Sequence, residues 1–311
     1  MPPNESIPSL GLGLDAGGTA TRWALADAAG RVLAQGAAAG FSGLQMADAA
    51  GQRAIEAVLR GIAQQAAAHG RVAAACAGVT GFDGDQAGPL AGLVAGVLSV
   101  PAGRVQLYND IELACRAAFK PGEGILVYAG TGSVAAFIDA QGVSHRAGGR
   151  GGLIDDGGSG YWIAREALRR VWRREDEEPG AWRRSPLAQR LFEAVGGSDW
   201  SHTRAWVYGA SRGQLGGLAL AVATAAAEDP EALEILQRAG EELARLALAL
   251  IRRHGAHPVA LAGRAFDLHP CMARGVARAL PEGLVRGRVD VDAHLAAARL
   301  AAASLSLEKD C

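Results

Sequence analysis

Lysine is almost missing from this chain: Lys120 and Lys309 are the two lysines among 31 basic residues, and the formal net charge is -1. Binding a nucleic-acid backbone needs a cationic surplus that displaces counterions, so nucleic acid is not an expected partner. Long uncharged apolar runs are absent too, and the opening MPPNESIPSL has neither the basic start nor the apolar stretch of an export signal. No membrane span is expected, and a cytoplasmic location is. Cysteine is scarce. Cys76, Cys115, Cys271 and Cys311 lie far apart, without the two-residue spacings of zinc or iron-sulfur sites, which points to reduced thiols that fill the core. The seven histidines are equally scattered; His254 and His257 share a helix end, where partly exposed imidazoles are the simplest reading.

What the chain has is length and apolar content. Its 311 residues, 50% hydrophobic, are about twice an ordinary domain, so two domains with real cores are expected. Three short strands joined by hairpins open the chain: Leu10 to Asp15, Thr21 to Ala26 and Arg31 to Gln35, with Asp27-Ala28-Ala29-Gly30 as the second turn. A helix follows over about Met46 to His69, then a strand from Arg71 to Val79, a helix over Pro89 to Ser99, and a strand from Val105 to Tyr108 that runs into Asn109-Asp110. Strands alternating with helices predict an α/β fold. Asp110 stands where a helix N-cap would.

The hairpin is used twice. Shifting the sequence lays Leu14, Gly18, Thr19, Asp27, Ala28 and Gly30 on Leu126, Gly130, Thr131, Asp139, Ala140 and Gly142, which reads as two related halves. The second half then departs into the glycine-rich loop GGRGGLIDDGGSGYW and an amphipathic helix with Ile163, Ala167, Leu168, Val171 and Trp172 on one face. Asp229 as N-cap and Pro230 in the first turn begin a helix of about 25 residues that ends at His254 before Gly255. Strand-like Pro258 to Leu261, then Gly263, and a closing helix near Asp292 to Ser306 complete the reading.

Gly17-Gly18-Thr19 leaves backbone amides unobstructed, so a phosphate oxygen can approach them, and Thr19 adds a hydroxyl. Asp15 beside such a turn repels phosphate unless a divalent cation such as Mg²⁺ lies between them, which points to Mg·ATP. The duplicate turn Gly130-Thr131-Gly132-Ser133 has Val127 where the first has its acid. Two bare turns suit one triphosphate, and one acid suffices for its cation. Neither turn is a P-loop or a dinucleotide fingerprint, since each joins strand to strand. Asp110, besides its capping role, is placed to act as general base toward a substrate hydroxyl.

Taken together, Asp15-Ala16-Gly17-Gly18-Thr19, Asn109-Asp110, Gly130-Thr131-Gly132-Ser133 and Gly148 through Ala164 resemble the N-acetylglucosamine and glucosamine kinase branch of the BadF/BadG/BcrA/BcrD ATPase family, in the actin, hexokinase and sugar-kinase superfamily. The resemblance implies two ribonuclease-H-like (actin-like ATPase) lobes with a central cleft, and transfer of the γ-phosphate of ATP to the sugar 6-hydroxyl. It implies an N-terminal lobe over 1–115, completed by the helix 292–311, and a C-terminal lobe over 116–291. By position, Asp15 matches the acid that organises Mg²⁺ and Asp110 the base. Gly17, Gly18, Thr19, Gly130, Thr131, Gly132, Ser133, Gly263 and Arg264 match nucleotide contacts, and Asn109, Asp110, Thr131, Gly148, Gly149 and Asp156 sugar contacts. The expected partners are a small sugar and ATP; a homodimer is left open.

Three positions depart from the family pattern: Gly43 replaces the asparagine of a GPSN-like loop, Gly157 a glutamate, and Arg264 the second glycine of the adenosine loop. The sugar is therefore open between N-acetylglucosamine, glucosamine and another hexose. Two other functions compete. A dehydratase-activating ATPase needs paired cysteines for an iron-sulfur cluster, which these spacings do not offer, and a silent sugar sensor has little use for both Asp15 and Asp110.

Overall fold

A computed structural model describes residues 8–82, 84 and 87–306, and these fall into two compact units. One contains the residues up to Ala118 together with those from Val291 onward; the other runs from Phe119 to Asp290. Residues 307–311, and with them Lys309 and Cys311, lie outside the described residues.

In the first unit a five-stranded sheet has the order β3-β2-β1-β4-β5, formed by β1 (Ser9–Ala16), β2 (Ala20–Ala26), β3 (Val32–Ala39), β4 (Arg71–Val79) and β5 (Val105–Asn109). Strands β1, β2 and β3 are antiparallel neighbours, while β1, β4 and β5 run parallel. Strand β3 continues four residues past Gln35, where the sequence reading ends it, because its alternation of half-buried and exposed positions and its pairing with β2 persist to Ala39. The expected helix from Met46 begins later, as α1 (Ala49–Ala67), because Asp48 caps it by accepting from the Gly51 amide; a short 3-10 turn over Gly43–Ala47 precedes it. Helix α2 spans Ala87–Leu98 and α3 Asp110–Ala118.

Strand β1 shows how sequence becomes layering. Leu10, Leu12 and Leu14 pack with Ile55, Leu59, Ile62, Leu90 and Val94 of α1 and α2. The alternate positions, Gly11 and Gly13, face α11 (Ala293–Ser306) on the other side. A Cβ at Gly13 would lie 2.1 Å from the Ala298 amide nitrogen and 2.3 Å from the His294 carbonyl oxygen. Glycine there lets an alanine-lined helix lie directly on the strand, with Ala293, Ala297, Ala298, Ala301 and Ala302 buried.

The second unit repeats the plan. Strands β6 (Ile125–Ala129), β7 (Ser133–Ile138), β8 (Ser144–Gly148), β9 (Val259–Ala262) and β10 (Val285–Arg288) order as β8-β7-β6-β9-β10, the same sequence of antiparallel and parallel neighbours as in the first sheet. The second hairpin turn matches in detail. Gly30 N donates to Asp27 O and Gly142 N to Asp139 O, at 2.8 and 2.9 Å, and the amides of Arg31 and Val143 reach the two carboxylates.

The helices of this unit are α4 (Gly160–Glu177), α5 (Pro186–Val195), α6 (Trp200–Gly209), α7 (Arg212–Gly217), α8 (Ala219–Ala225), α9 (Pro230–His254) and α10 (Pro270–Ala279). Helix α9 has the expected bounds: Asp229 accepts from the amides of Glu231 and Ala232, and Gly255 follows at φ 95°. The core gathers Ile163, Ala167, Leu168 and Val171 of α4 with Ile235, Leu236, Leu243 and Leu250 of α9. Cys76, Cys115 and Cys271 are buried, and burial pushes the Cys76 thiol up to about 12. No described helix is long and apolar enough to cross a membrane.

Candidate active site

In the first unit three polar side chains meet at the carboxyl ends of adjacent parallel strands, where open α/β sheets place their ligands. Register puts Asp15 of β1 beside Gly78 of β4, and Val79 of β4 beside Asn109 of β5. Thr80, just past β4, donates its amide to Ala16 O at 2.9 Å and hydrogen-bonds through its side chain to Asp110. Asp15 lies close enough for its charge to act on Asp110. Thr80 was not singled out from sequence, because strand pairing brings it here and no local pattern announces it.

Asp110 is not the helix N-cap that the sequence suggested. It is the first residue of α3, and Asn109 takes the capping place: the Ile111 amide donates to Asn109 Oδ1 at 3.2 Å and to Asp110 Oδ1 at 2.9 Å. The Asn109 amide group in turn donates to Phe82 O. Burial pushes the Asp110 carboxyl above its ordinary 3.8, and the Asp15 charge adds to the rise, while the Thr80 and Ile111 hydrogen bonds pull the other way. The result is a carboxylate better able to take a proton than an exposed one.

The turn Gly17-Gly18-Thr19 follows Asp15 after one residue, Ala16, and is closed by Gly17 N donating to Ala20 O at 3.0 Å. Gly18 and Thr19 are exposed, and a Cβ built on Gly18 meets nothing within 4 Å. Gly40 packs underneath: its Cβ would lie 2.4 Å from Gly17 O and 2.5 Å from Ala20 N. Asp15 itself pairs with Arg22, its direct partner across β1 and β2, at 2.8 Å; Asp292 stands 3.9 Å from the same guanidinium.

In the second unit the turn Gly130 to Ser133 is stitched to the glycine-rich loop. Gly160 N and Tyr161 N donate to the carbonyls of Gly130 and Thr131, Ser133 Oγ donates to Gly157 O at 2.7 Å, and Gly149 N donates to Ser133 O at 2.9 Å. Gly148 and Gly149 have φ of 77° and 66°, a backbone that suits glycine. The adjacent acids diverge. Asp155 accepts from Gly157 N and pairs with Arg245 at 3.0 Å, whereas Asp156, buried at φ 54°, accepts from Gly151 N and pairs with Arg212. Arg212 is a second residue that sequence reasoning missed. Gly263 abuts the end of β6, since a Cβ there would lie 2.3 Å from Ala129 O, and Arg264 is exposed. His254 and His257 gather with His145 around Phe137, with the His145 and His254 rings 4.2 Å apart, and burial holds the His254 imidazole below its ordinary value.

The expected site residues thus fall into two groups: Asp15, Gly17, Gly18, Thr19, Asn109 and Asp110 in the first unit, and Gly130 to Ser133, Gly148, Gly149, Asp156, Gly263 and Arg264 in the second. Each group is contiguous within its own unit. The family model for BadF/BadG/BcrA/BcrD ATPases matches residues 12–298. The chain belongs to that family. It is 40% identical over 67 residues to an N-acetylmuramic acid/N-acetylglucosamine kinase of Clostridium acetobutylicum, 22% of each chain. It is 27% identical over 207 residues to an N-acetyl-D-glucosamine kinase of Dictyostelium discoideum, 63% of this chain and 64% of that one. The chain therefore spans 22% and 64% of the length of these two curated relatives. Among solved structures, a candidate N-acetylglucosamine kinase from Chromobacterium violaceum superposes with a TM-score of 0.71 at 27% identity, covering 95% of this chain and 99% of its own. The fold class expected from sequence, α/β in the actin-like ATPase and sugar-kinase fold, is the one observed.

Proposed function

We propose that this member of the family is an ATP-dependent sugar kinase that transfers the γ-phosphate to the 6-hydroxyl of an amino sugar, N-acetylglucosamine or glucosamine. The observation that carries the reading is the grouping of Asp15, Thr80 and Asp110 beside the open Gly17-Gly18-Thr19 turn. Asp110 takes the proton of the attacking hydroxyl on its carboxylate, a contribution of about 10²- to 10⁴-fold. Ile111 N and the Thr80 hydroxyl fix that carboxylate, and burial raises its basicity. The glycine turns hold phosphate oxygens through backbone amides, and positioning supplies most of the remaining acceleration.

The donor chemistry of the first unit fits Mg²⁺, which keeps several waters and binds through one or two carboxylates together with phosphate oxygens. Asp15 would hold it, with Arg22 giving up the carboxylate, and the ion would neutralise phosphate charge. In the second unit Gly148 and Gly149, with φ of 77° and 66°, would let a sugar approach the backbone closely, and Gly263 and Arg264 would flank the adenosine.

The test is a coupled ADP-release assay over N-acetylglucosamine, glucosamine, glucose and N-acetylmuramic acid. Sugar-dependent ADP release with an amino sugar supports the proposal. ADP release that no sugar changes, or none at all, refutes it.

A further inference from the structure

One arginine lies against the second glycine turn. Arg212 opens helix α7, which Ser211 and Gln214 cap reciprocally. Its Nη2 donates to Asp156 Oδ2, a side chain only 1% exposed, while Arg212 itself is 50% exposed. A Cβ built on Gly132 would lie 2.6 Å from Arg212 Nη2 and 2.9 Å from Asp156 Oδ2, so only the bare turn leaves room for this guanidinium. The far end of α7 also touches the turn: a Cβ at Gly216 would lie 3.2 Å from Thr131 Cγ2. A buried carboxylate, itself held by Gly151 N, therefore aims a permanently charged side chain at the residues expected to meet phosphate.

Guanidinium chemistry favours an anion here. Its five N–H groups form a planar fork that donates and never accepts, matching phosphate oxygens in pairs; a sugar hydroxyl, which also needs an acceptor, is served only in part. Asp156 occupies one donor edge, and the half-exposed remainder is available.

We propose that Arg212 is a nucleotide-phosphate-binding residue, positioned by Asp156 over the Gly130 to Ser133 turn. The assignment rests on the reading of that turn as a phosphate grip. It places a cation at the second turn, which has Val127 where the first has Asp15, and whose neighbouring carboxylate, Asp156, is already engaged by Arg212 and Gly151 N.

Calorimetric titration of ATP, ADP, AMP and N-acetylglucosamine into wild type, Arg212→Gln and Arg212→Lys tests it, together with the KM for each substrate. Arg212→Gln should weaken ATP and ADP binding about tenfold or more, the range of one charge-assisted hydrogen bond, and leave AMP and sugar binding within about twofold. Arg212→Lys should recover part of the loss, and the KM for ATP should move while that for sugar stays. Because removing the partner of a buried acid threatens folding, phenylglyoxal labelling of wild type gives an independent reading: ATP, but not sugar, should shield Arg212 from modification. Unchanged ATP affinity in a folded Arg212→Gln protein, a loss confined to sugar, or labelling indifferent to ATP overturns the assignment. A wild type that binds sugar but no ATP removes the phosphate-grip reading itself.

Discussion

Gly18 and Gly40 are both glycines of the first turn region, yet replacing each by alanine should affect stability very differently. At Gly40 the new Cβ would sit 2.4 Å from Gly17 O and 2.5 Å from Ala20 N and Thr19 C. Ordinary contact needs about 1 Å more, and the opposing atoms are backbone that Gly17 N–Ala20 O and the Ala20–Ala39 pairing hold in place. Such overpacking costs about 1–3 kcal/mol, offset by roughly 0.4–1 kcal/mol from the stiffer unfolded chain. Gly40→Ala should therefore lose about 1–2 kcal/mol in urea unfolding, and nucleotide affinity should fall with the displaced turn. At Gly18 the Cβ meets open space, so stability should stay within about 0.5 kcal/mol. The methyl nonetheless stands where a phosphate oxygen is to approach, and ATP should bind about tenfold more weakly. Urea unfolding by circular dichroism and ATP titration read both. Gly40→Ala with wild-type stability would refute the packing argument, and Gly18→Ala with wild-type ATP affinity would refute the phosphate assignment.

Asp110→Asn should keep ATP and sugar binding while losing about 10²- to 10⁴-fold in kcat; activity near wild type would remove Asp110 from the base role. The same variant carries a stability signature. The folded carboxyl titrates above its unfolded value, so wild-type stability declines as pH rises from near 3.8 through the raised folded pKa, and the neutral amide escapes that decline. Asp110→Asn should accordingly unfold at higher urea than wild type at pH 7 and match it in acid; a variant weaker at pH 7 contradicts the sign. The acid limb of kcat/KM should fall above the ordinary aspartate range, and a limb at 3.8 would argue against a buried base. Asp15→Asn should move the Mg²⁺ titration to higher concentration, and an unshifted curve counts against the metal role. Gly13→Ala, whose Cβ would press on the Ala298 nitrogen and His294 oxygen, should cost about 3 kcal/mol or more, read by urea unfolding; a cost under about 1 kcal/mol would mean α11 can shift freely on β1.

Much of this was legible wherever a local pattern carries the physics. Alternation of leucine and glycine in β1 declares which face meets side chains and which meets a backbone, and Asp229-Pro230 with Gly255 marks both ends of α9. The repeated Asp-Ala-x-Gly turn marks the duplicated hairpin. Among the helices that the sequence reading does not place, α5, α6 and α7 carried usable signals in their caps, Ser185-Pro186, Asp199 and the Ser211/Gln214 box, which the alanine- and glycine-rich background obscured. Thr80 and Arg212 carried none. Thr80 reaches Asp110 through the parallel pairing of β4 with β5, and Arg212 reaches an acid 56 positions earlier through the docking of α7. Contacts of that kind belong to the tertiary structure alone.

The duplication makes the differences between the two turns informative. Both turns leave strands at equivalent places in equivalent sheets, so a common phosphate-gripping backbone would be inherited by both. What surrounds them has diverged in arrangement, although each has an acid paired with an arginine, Asp15 with Arg22 and Asp156 with Arg212. The first has Asp15 and Asp110 nearby; the second has no acid at Val127 and instead an arginine bolted to a buried carboxylate. A phosphoryl transfer needs both kinds of help, a base and a cation-holding acid for the hydroxyl and metal, and fixed positive charge for the phosphate oxygens. If each turn serves one of these needs, Asp15→Asn should alter metal dependence while leaving metal-free ADP affinity alone, and Arg212→Gln should do the reverse. Variants that shift both quantities together would show that the two turns do not divide the work.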